Sequence, residues 1–460
     1  MKRTKKTLSR REFVKQSSLT GLGAAIAMSG TPVLFAREIS ADTPAIMGGQ
    51  PIRSSDWPTW PRWNPETDEE GVIKVLRSGV WSRADVVDEF EKKWAETIGS
   101  KRCLSVVNGT SALAASVVQM DVGAGDEVIV TPYTWISTVQ SILLAGAMPV
   151  FADIDPETYQ IDPKKIEEKI TPRTKLILPV HILGLPADMI SIMDIAKRHN
   201  LLVLEDACQA WLAEINHKKV ATFGNAGCFS FQNSKHIPMG EGGAIISDDE
   251  EFIDRCYSYH NMGFPHGTAI GTVGGGAVML GTKLRITEYQ AAIALAMLGR
   301  LDSETTVRND NAAYLRAQIS QIPGIKPYRL YDNVTRAAFH VFAYRYKKEE
   351  FKGLPRKDFI KAMNAEGISC FNGYPPNLNN QPYLAHAFQT KNFRKMYTPE
   401  MLDINKFAER NKCPENDLLC DEIVWMMQNM LIGPKSDMDD IAMAINKVYQ
   451  NADKIKKSLS

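Results

Sequence analysis

The sequence has almost no net charge: 54 lysines and arginines stand against 53 aspartates and glutamates, leaving +1 over 460 residues. A protein that tracks a phosphate backbone carries a large basic excess, so nucleic acid is not the expected partner. The seven cysteines (Cys103, Cys208, Cys228, Cys256, Cys370, Cys413 and Cys420) contain no CxxC pair and no closely spaced even framework. Neither a zinc site nor a disulfide scaffold is indicated. No segment offers about 18 uninterrupted apolar residues, so no stable membrane span is expected, and no internal repeat is found. With 44% hydrophobic and 23% charged residues, the chain has ample material for a globular core. Its length suggests a large two-lobed domain or two to three smaller ones.

The positive charge that is present gathers at the start, at Lys2, Arg3, Lys5, Lys6, Arg10, Arg11 and Lys15. Arg10 and Arg11 form a pair in an S-R-R-x-F-x-K setting, followed by a weakly apolar run rich in glycine and alanine. The segment resembles a twin-arginine export signal, a receptor-read address for folded cargo. That resemblance implies cleavage near Ala36 and a periplasmic or otherwise exported body.

Residues 37 to 65, with Pro44, Pro51, Pro58 and Pro61, read as an extended arm. From 66 to 290, short β-rich apolar runs at 103–107, 126–131, 148–154, 175–182, 201–207, 226–232 and 243–249 alternate with helical patterns. Such alternation predicts a mostly parallel sheet with helices on both faces, and ligands bind at the carboxyl ends of its strands. From 291 to 460 a long helical stretch leads into a smaller α+β domain. Its signals are the strand-like FHVFAYRYK, the helical PRKDFIKAMNAEG and the terminal DMDDIAMAINKVYQNADKIKK. GTVGGGA reads as a loop tip.

Three segments carry chemistry. VVNGTSALAASV places Asn108, Gly109, Thr110 and Ser111 between a strand and a helix, where the first helical N–H groups point outward beside two hydroxyls. That is a phosphate cradle in kind, although it lacks a nucleotide P-loop ending and a simple helix cap has the same look. LLVLEDACQA ends an apolar strand with Glu205 and Asp206, then Gln209. A carboxylate there needs a cationic partner, and a protonated pyridine nitrogen would be one. FSFQNSKHIPMGEGGAIISDD sets Lys235 between a strand and a glycine-rich turn, where a desolvated amine can form a Schiff base.

Phosphate loop, strand-end carboxylate and cleft lysine in this order, with Trp135 available to stack on a planar ring, resemble a pyridoxal-phosphate enzyme of the aspartate aminotransferase fold. More narrowly, residues 44 to 450 resemble the DegT/DnrJ/EryC1/StrS family of sugar and cyclitol aminotransferases. The signatures are GGQPIR, RSGVWSR, VVNGTSAL, GDEVIVTPYTWIST, PVFADIDPETYQID, TPRTKLILPVHILGLPADM, EDACQA, SFQNSKHIPMGEGGAIISDD, LRITEYQAAI and DEIVWM.

The resemblance implies fold type I: a large domain with a mostly parallel seven-stranded sheet and a smaller C-terminal α+β domain. It implies pyridoxal 5'-phosphate as cofactor and a homodimer with sites at the interface. Lys235 would form the Schiff base and move protons, and Asp206 would pair with the ring nitrogen. Gln209 would sit by the phenolic oxygen, and Gly109, Thr110, Ser111 and Ser230 would surround the phosphate. Trp135 would stack on the ring and His181 would lie in the cofactor shell. Lys283 stands two residues before Arg285, where relatives often carry an asparagine that reaches across the dimer to the phosphate.

The implied reaction takes an amino group from L-glutamine or L-glutamate to a keto sugar or keto cyclitol, with a lean toward the cyclitol. Two alternatives stay open at this point. One is a sugar dehydratase, in which such relatives replace the lysine by histidine, and the other is an exported protein that binds without catalysis.

Overall fold

The computed structural model describes residues 43–268, 276–374 and 378–459. The twin-arginine segment lies outside the described residues, as do most of GTVGGGA and positions 375–377. The first nine strands are β1 (Arg102–Val106), β2 (Glu127–Val130), β3 (Met148–Phe151), β4 (Thr174–Leu178), β5 (Leu202–Asp206), β6 (Glu214–Ile215), β7 (Lys218–Lys219), β8 (Ala226–Ser230) and β9 (Gly243–Ser247). Seven of them form one sheet in the order β1-β9-β8-β5-β4-β2-β3. The pairs from β3 through β8 are parallel, and β9 runs antiparallel to both β1 and β8. All seven expected strands are present, within a few residues of the expected bounds.

Residue alternation divides the sheet's side chains between two cores. Val128, Val130, Leu176, Leu178 and Leu204 join one, while Ile129, Ile177 and Val203 join the other. A strand covered on both faces needs apolar residues at every position, which is why these segments read as continuous apolar runs.

The 32-residue helix Glu288–Ile319 links the lobes. Its first residue acts at a distance: the Glu288 carboxylate accepts from the amides of Ala84, Val86 and Val87 at 2.7, 2.9 and 3.0 Å. It thereby caps the helix Asp85–Ile98, whose own N-cap, Ala84, has no side chain to do so.

Beyond it lie β10 (Ile325–Pro327), β11 (Val334–Arg336), β12 (Val341–Tyr346), β13 (Phe371–Asn372) and β14 (Ile423–Met427). The antiparallel sheet β10-β12-β14-β13 is the centre of the small lobe, and β11 joins β6 and β7. The expected terminal helix is broken at Asn451 into Lys435–Gln450 and Ala452–Leu459. The sequence reading missed the helices Pro382–Gln389, Lys391–Met396, Ile404–Arg410 and Pro414–Glu422. Each has nine residues or fewer, too short for a sustained period.

The described part of the arm docks on the small lobe. The Glu366 carboxylate accepts from Ala45 N and Ile52 N at 2.8 and 3.0 Å, and Arg53 pairs with Asp437 at 2.8 Å and Asp440 at 3.0 Å.

Candidate active site

Three strand ends of the large sheet converge with the start of the small lobe. After β1, the chain turns through Asn108 into the helix Gly109–Gln119. Asn108 Oδ1 accepts from the Ser111 amide at 2.8 Å and its carbonyl from the Ala112 amide at 3.1 Å. The Gly109 and Thr110 amides remain as the outward donors of the first turn.

Glycine is required here by space. A β-carbon at Gly109 would lie 2.8 Å from Ser230 Cβ and 2.9 Å from Cys208 Sγ. One at Gly243, where β9 passes behind the turn, would lie 2.4 Å from the Asn108 carbonyl.

β5 ends in two carboxylates that the strand sends to opposite faces. Glu205 accepts from the amides of Ala221, Phe223 and Gly224, each at 2.7 Å, and meets His181 Nε2 at 3.0 Å. Asp206 faces the cavity, where it accepts from Thr138 Oγ1 at 2.8 Å and from the Cys208 amide at 3.1 Å. Thr138 lies in the first turn of the helix Ile136–Leu144, whose N-cap is Trp135, and both side chains line the cavity.

Lys235 sits in the turn between β8 and β9. Its carbonyl accepts from Trp60 Nε1 of the arm at 3.0 Å, and its Nζ lies 3.3 Å from His340 Nε2. Burial pushes the amine below the usual lysine range, and Cys208 and Asp206 oppose that shift. Gln209 is held at both ends: its Oε1 accepts from the Leu183 amide, and its Nε2 donates to the Tyr374 hydroxyl, both at 2.8 Å.

A cavity of about 550 Å³ lies between these elements. Gly109, Thr110, Trp135, Asp206, Gln209, Ser230 and Lys235 line it, so the structure brings together seven of the ten residues that the sequence pointed to.

Three lie elsewhere. Ser111 does not line the cavity, and its amide is spent on the cap. Lys283 does not line its own chain's cavity; it is exposed and bridges in main chain to Asn261, and the role expected of it is toward a second copy of the chain. His181 does not enter the cavity shell: it is fully buried, with Nε2 on Glu205 and Nδ1 accepting from the Ala187 amide at 3.1 Å. Its ring follows Glu205 rather than Asp206, a choice that motif reading could not see.

The small lobe contributes His340, Tyr374 and Trp425, which the sequence reading did not identify. Tyr374 packs edge-on against Trp425 at 4.7 Å, and Trp425 Nε1 donates to the Tyr133 hydroxyl at 3.1 Å. Trp425 lies in the DEIVWM signature, which carried no role in the sequence, and His340 and Tyr374 had no signal there. Among the described residues, no group of three or more His, Cys, Asp or Glu could hold a metal.

Residues 64–402 match the DegT/DnrJ/EryC1/StrS aminotransferase family. The chain belongs to that family. A putative L-glutamine:3-amino-2,3-dideoxy-scyllo-inosose aminotransferase of Streptoalloteichus tenebrarius is 35% identical over 421 residues, covering 90% of this chain and 99% of the relative. The L-glutamine:2-deoxy-scyllo-inosose aminotransferase of Streptomyces kanamyceticus is 32% identical over 88% of this chain and 97% of its own. The crystal structure of 3-amino-5-hydroxybenzoic acid synthase superposes with a TM-score of 0.74 at 28% identity, covering 86% of this chain and all of that one.

As a member of the family, the protein is an aminotransferase that depends on pyridoxal phosphate. The donor set fits that cofactor: free amides and the Thr110 and Ser230 hydroxyls suit a phosphate, Asp206 suits a cationic ring nitrogen, and the Lys235 amine suits an aldehyde.

Proposed function

We propose that this aminotransferase moves the amino group of L-glutamine, or of L-glutamate, onto a keto cyclitol of the inosose class. The observation that carries the reading is the placement of the desolvated Lys235 amine and the Asp206 carboxylate on one 550 Å³ cavity that opens on the start of the helix Gly109–Gln119. The names of the relatives supply the donor and acceptor class.

When bound, pyridoxal phosphate supplies an aldehyde that condenses with amines and a cationic ring that takes up the electron pair of a broken C–H bond. The chain's residues do the rest. The Gly109 and Thr110 amides with the Thr110 and Ser230 hydroxyls anchor the phosphate. Asp206, oriented by Thr138 and the Cys208 amide, holds the proton on the ring nitrogen. Lys235 Nζ takes the proton from the donor's α-carbon and returns one to the acceptor carbon that was the carbonyl. Trp135 and Tyr374 wall the site, with ring centroids 6.2 Å apart. A dehydratase would carry histidine in place of Lys235; His236, next to it, is buried against Trp211 at 4.9 Å and does not line the cavity.

A second copy of the chain is the proposed partner. Glu288 N donates to Trp81 O at 3.0 Å, and the large side chains of Val80, Trp81, Val278 and Leu280 are exposed. An apolar face of this kind suits a self-complementary contact. In the test, the purified protein is given L-glutamine and then 2-deoxy-scyllo-inosose, with the same sample weighed by light scattering. Bleaching of the cofactor band by the donor, its return with the keto cyclitol and a mass of two chains are expected. A band that the donor leaves unchanged would sink the reading.

Export by the twin-arginine route is proposed from Arg10, Arg11 and the run that follows. Replacing both arginines by lysine should leave active, uncleaved enzyme in the cytoplasmic fraction, whereas unchanged activity outside the cytoplasm would mean that residues 1–36 are not the address.

A further inference from the structure

The Lys235 amine meets a histidine that belongs to the other lobe. His340 Nε2 lies 3.3 Å from Lys235 Nζ, across 105 residues of sequence. Its opposite nitrogen, Nδ1, is buried and has no hydrogen-bond partner. A buried, half-satisfied imidazole is costly, so its remaining contact is expected to matter.

The backbone around it is built to hold it there. Phe339, immediately before, has φ +55°, a left-handed conformation that an aromatic residue adopts only when its surroundings force it. Part of that force is visible at Gly184, whose φ is +85° and where a β-carbon would lie 2.7 Å from each of His340 N, Phe339 N and Gln209 O. The turn after β4 thus meets the entry to β12 backbone to backbone, and the Ala338 amide donates to the Gly184 carbonyl at 2.8 Å. His340 is fixed against the large lobe before any side-chain contact is counted.

We propose that His340 is a positioning residue whose Nε2 holds the Lys235 amine whenever that amine is free, keeping it over the cavity between its two rounds of bond formation. The proposal rests on Lys235 being the Schiff-base lysine. The neutral imidazole accepts from the ammonium through Nε2 in a charge-assisted bond, which is stronger than the bond it can donate, in its other tautomer, to the neutral amine. The groups facing the pair keep the ring neutral. Burial and the charges of Lys235 and Arg308 hold His340 well below the usual histidine range. His236, with its ring 6.1 Å away, is held low in the same way. Arg308 gives Nε and Nη2 to Gln428 Oε1 at 2.9 and 2.6 Å and Nη2 to Glu304 at 3.3 Å, while its buried Nη1 has no hydrogen-bond partner. On the cavity side, Asp206 and the Cys208 thiol face Lys235.

The test reads the amine itself. Cofactor-free wild type, His340→Leu and His340→Gln are treated with cyanate over a range of pH, and carbamoylation of Lys235 is followed by peptide mass. Leucine removes an acceptor from the ammonium, so the free amine should be more abundant and carbamoylation near neutral pH about tenfold faster than in wild type. The rates should converge at high pH, where every amine is neutral, which checks that access is unchanged. Glutamine, which keeps an acceptor, should remain within about threefold of wild type. Coincident Leu and wild-type profiles, or a Gln variant that behaves as Leu does, would overturn the proposal. Borohydride reduction of the loaded wild type separately asks whether the cofactor attaches to Lys235. A negative result there would remove the Schiff-base reading, while the labelling profile would still report on His340.

Discussion

Replacement of Lys235 by alanine should reduce transamination to the level of the uncatalysed control while the protein keeps its fold and some non-covalently bound cofactor. Lys235 is the only amine among the described residues that line the cavity, so no neighbour can take over Schiff-base formation or proton transfer. The phosphate donors and Asp206 are untouched, which is why the cofactor should still bind. Stability should not suffer either. Burial lowers the folded-state pKa of Lys235, so below the ordinary lysine value of about 10.4 the unfolded chain binds its proton more tightly than the folded one does. The resulting penalty is full below the folded value and fades as pH rises toward the ordinary value. Cofactor-free wild type should therefore gain stability across that window, and the alanine variant should lack this gain. Activity within about tenfold of wild type would show that Lys235 is not the reacting amine.

The second large effect is expected at Asp206. Asn fits the same space and can keep one of the two bonds, to Thr138 Oγ1 or to the Cys208 amide, so cofactor binding should survive. The negative charge that stabilises a proton on the ring nitrogen is lost, and with it the cationic ring's capacity for the electron pair. A fall in kcat of roughly two orders of magnitude, about 3 kcal/mol, is expected, with little change in the affinity for L-glutamine. Absorbance titration of the loaded variant should show the change at the ring, independently of turnover. A loss of less than about threefold with the structure intact would reduce Asp206 to a residue that stabilises the turn after its strand through the Cys208 amide.

The contrast between Glu205 and Asp206 marks how far motif reading reaches. Both are acidic, adjacent and at the end of one strand, and either could be named from the sequence as a ring partner. Strand alternation sends one into a nest of three backbone amides and the other into the cavity. Which is which depends on the face that the helix Gly109–Gln119 and the small lobe cover. The same uncertainty of side governs His181, which the family resemblance placed in the cofactor shell and whose ring supports Glu205.

By itself the sequence determined a mostly parallel sheet, its seven strands, the Asn108 cap and glycine turn that open a phosphate site, and the placement of Asp206 at a strand end and of Lys235 in the turn between two strands. These depend on apolar periodicity and on turn chemistry within a few residues, both of which are written locally. The other half of the cavity was decided only by the tertiary structure. His340, Tyr374 and Trp425 arrive from the small lobe, after the helix Glu288–Ile319 has carried the chain away and back, and Trp60 of the arm braces the Lys235 carbonyl from outside the cavity. Contacts across more than 100 residues leave no period in the sequence, because what brings them together is the packing of two lobes and not the conformation of any one segment.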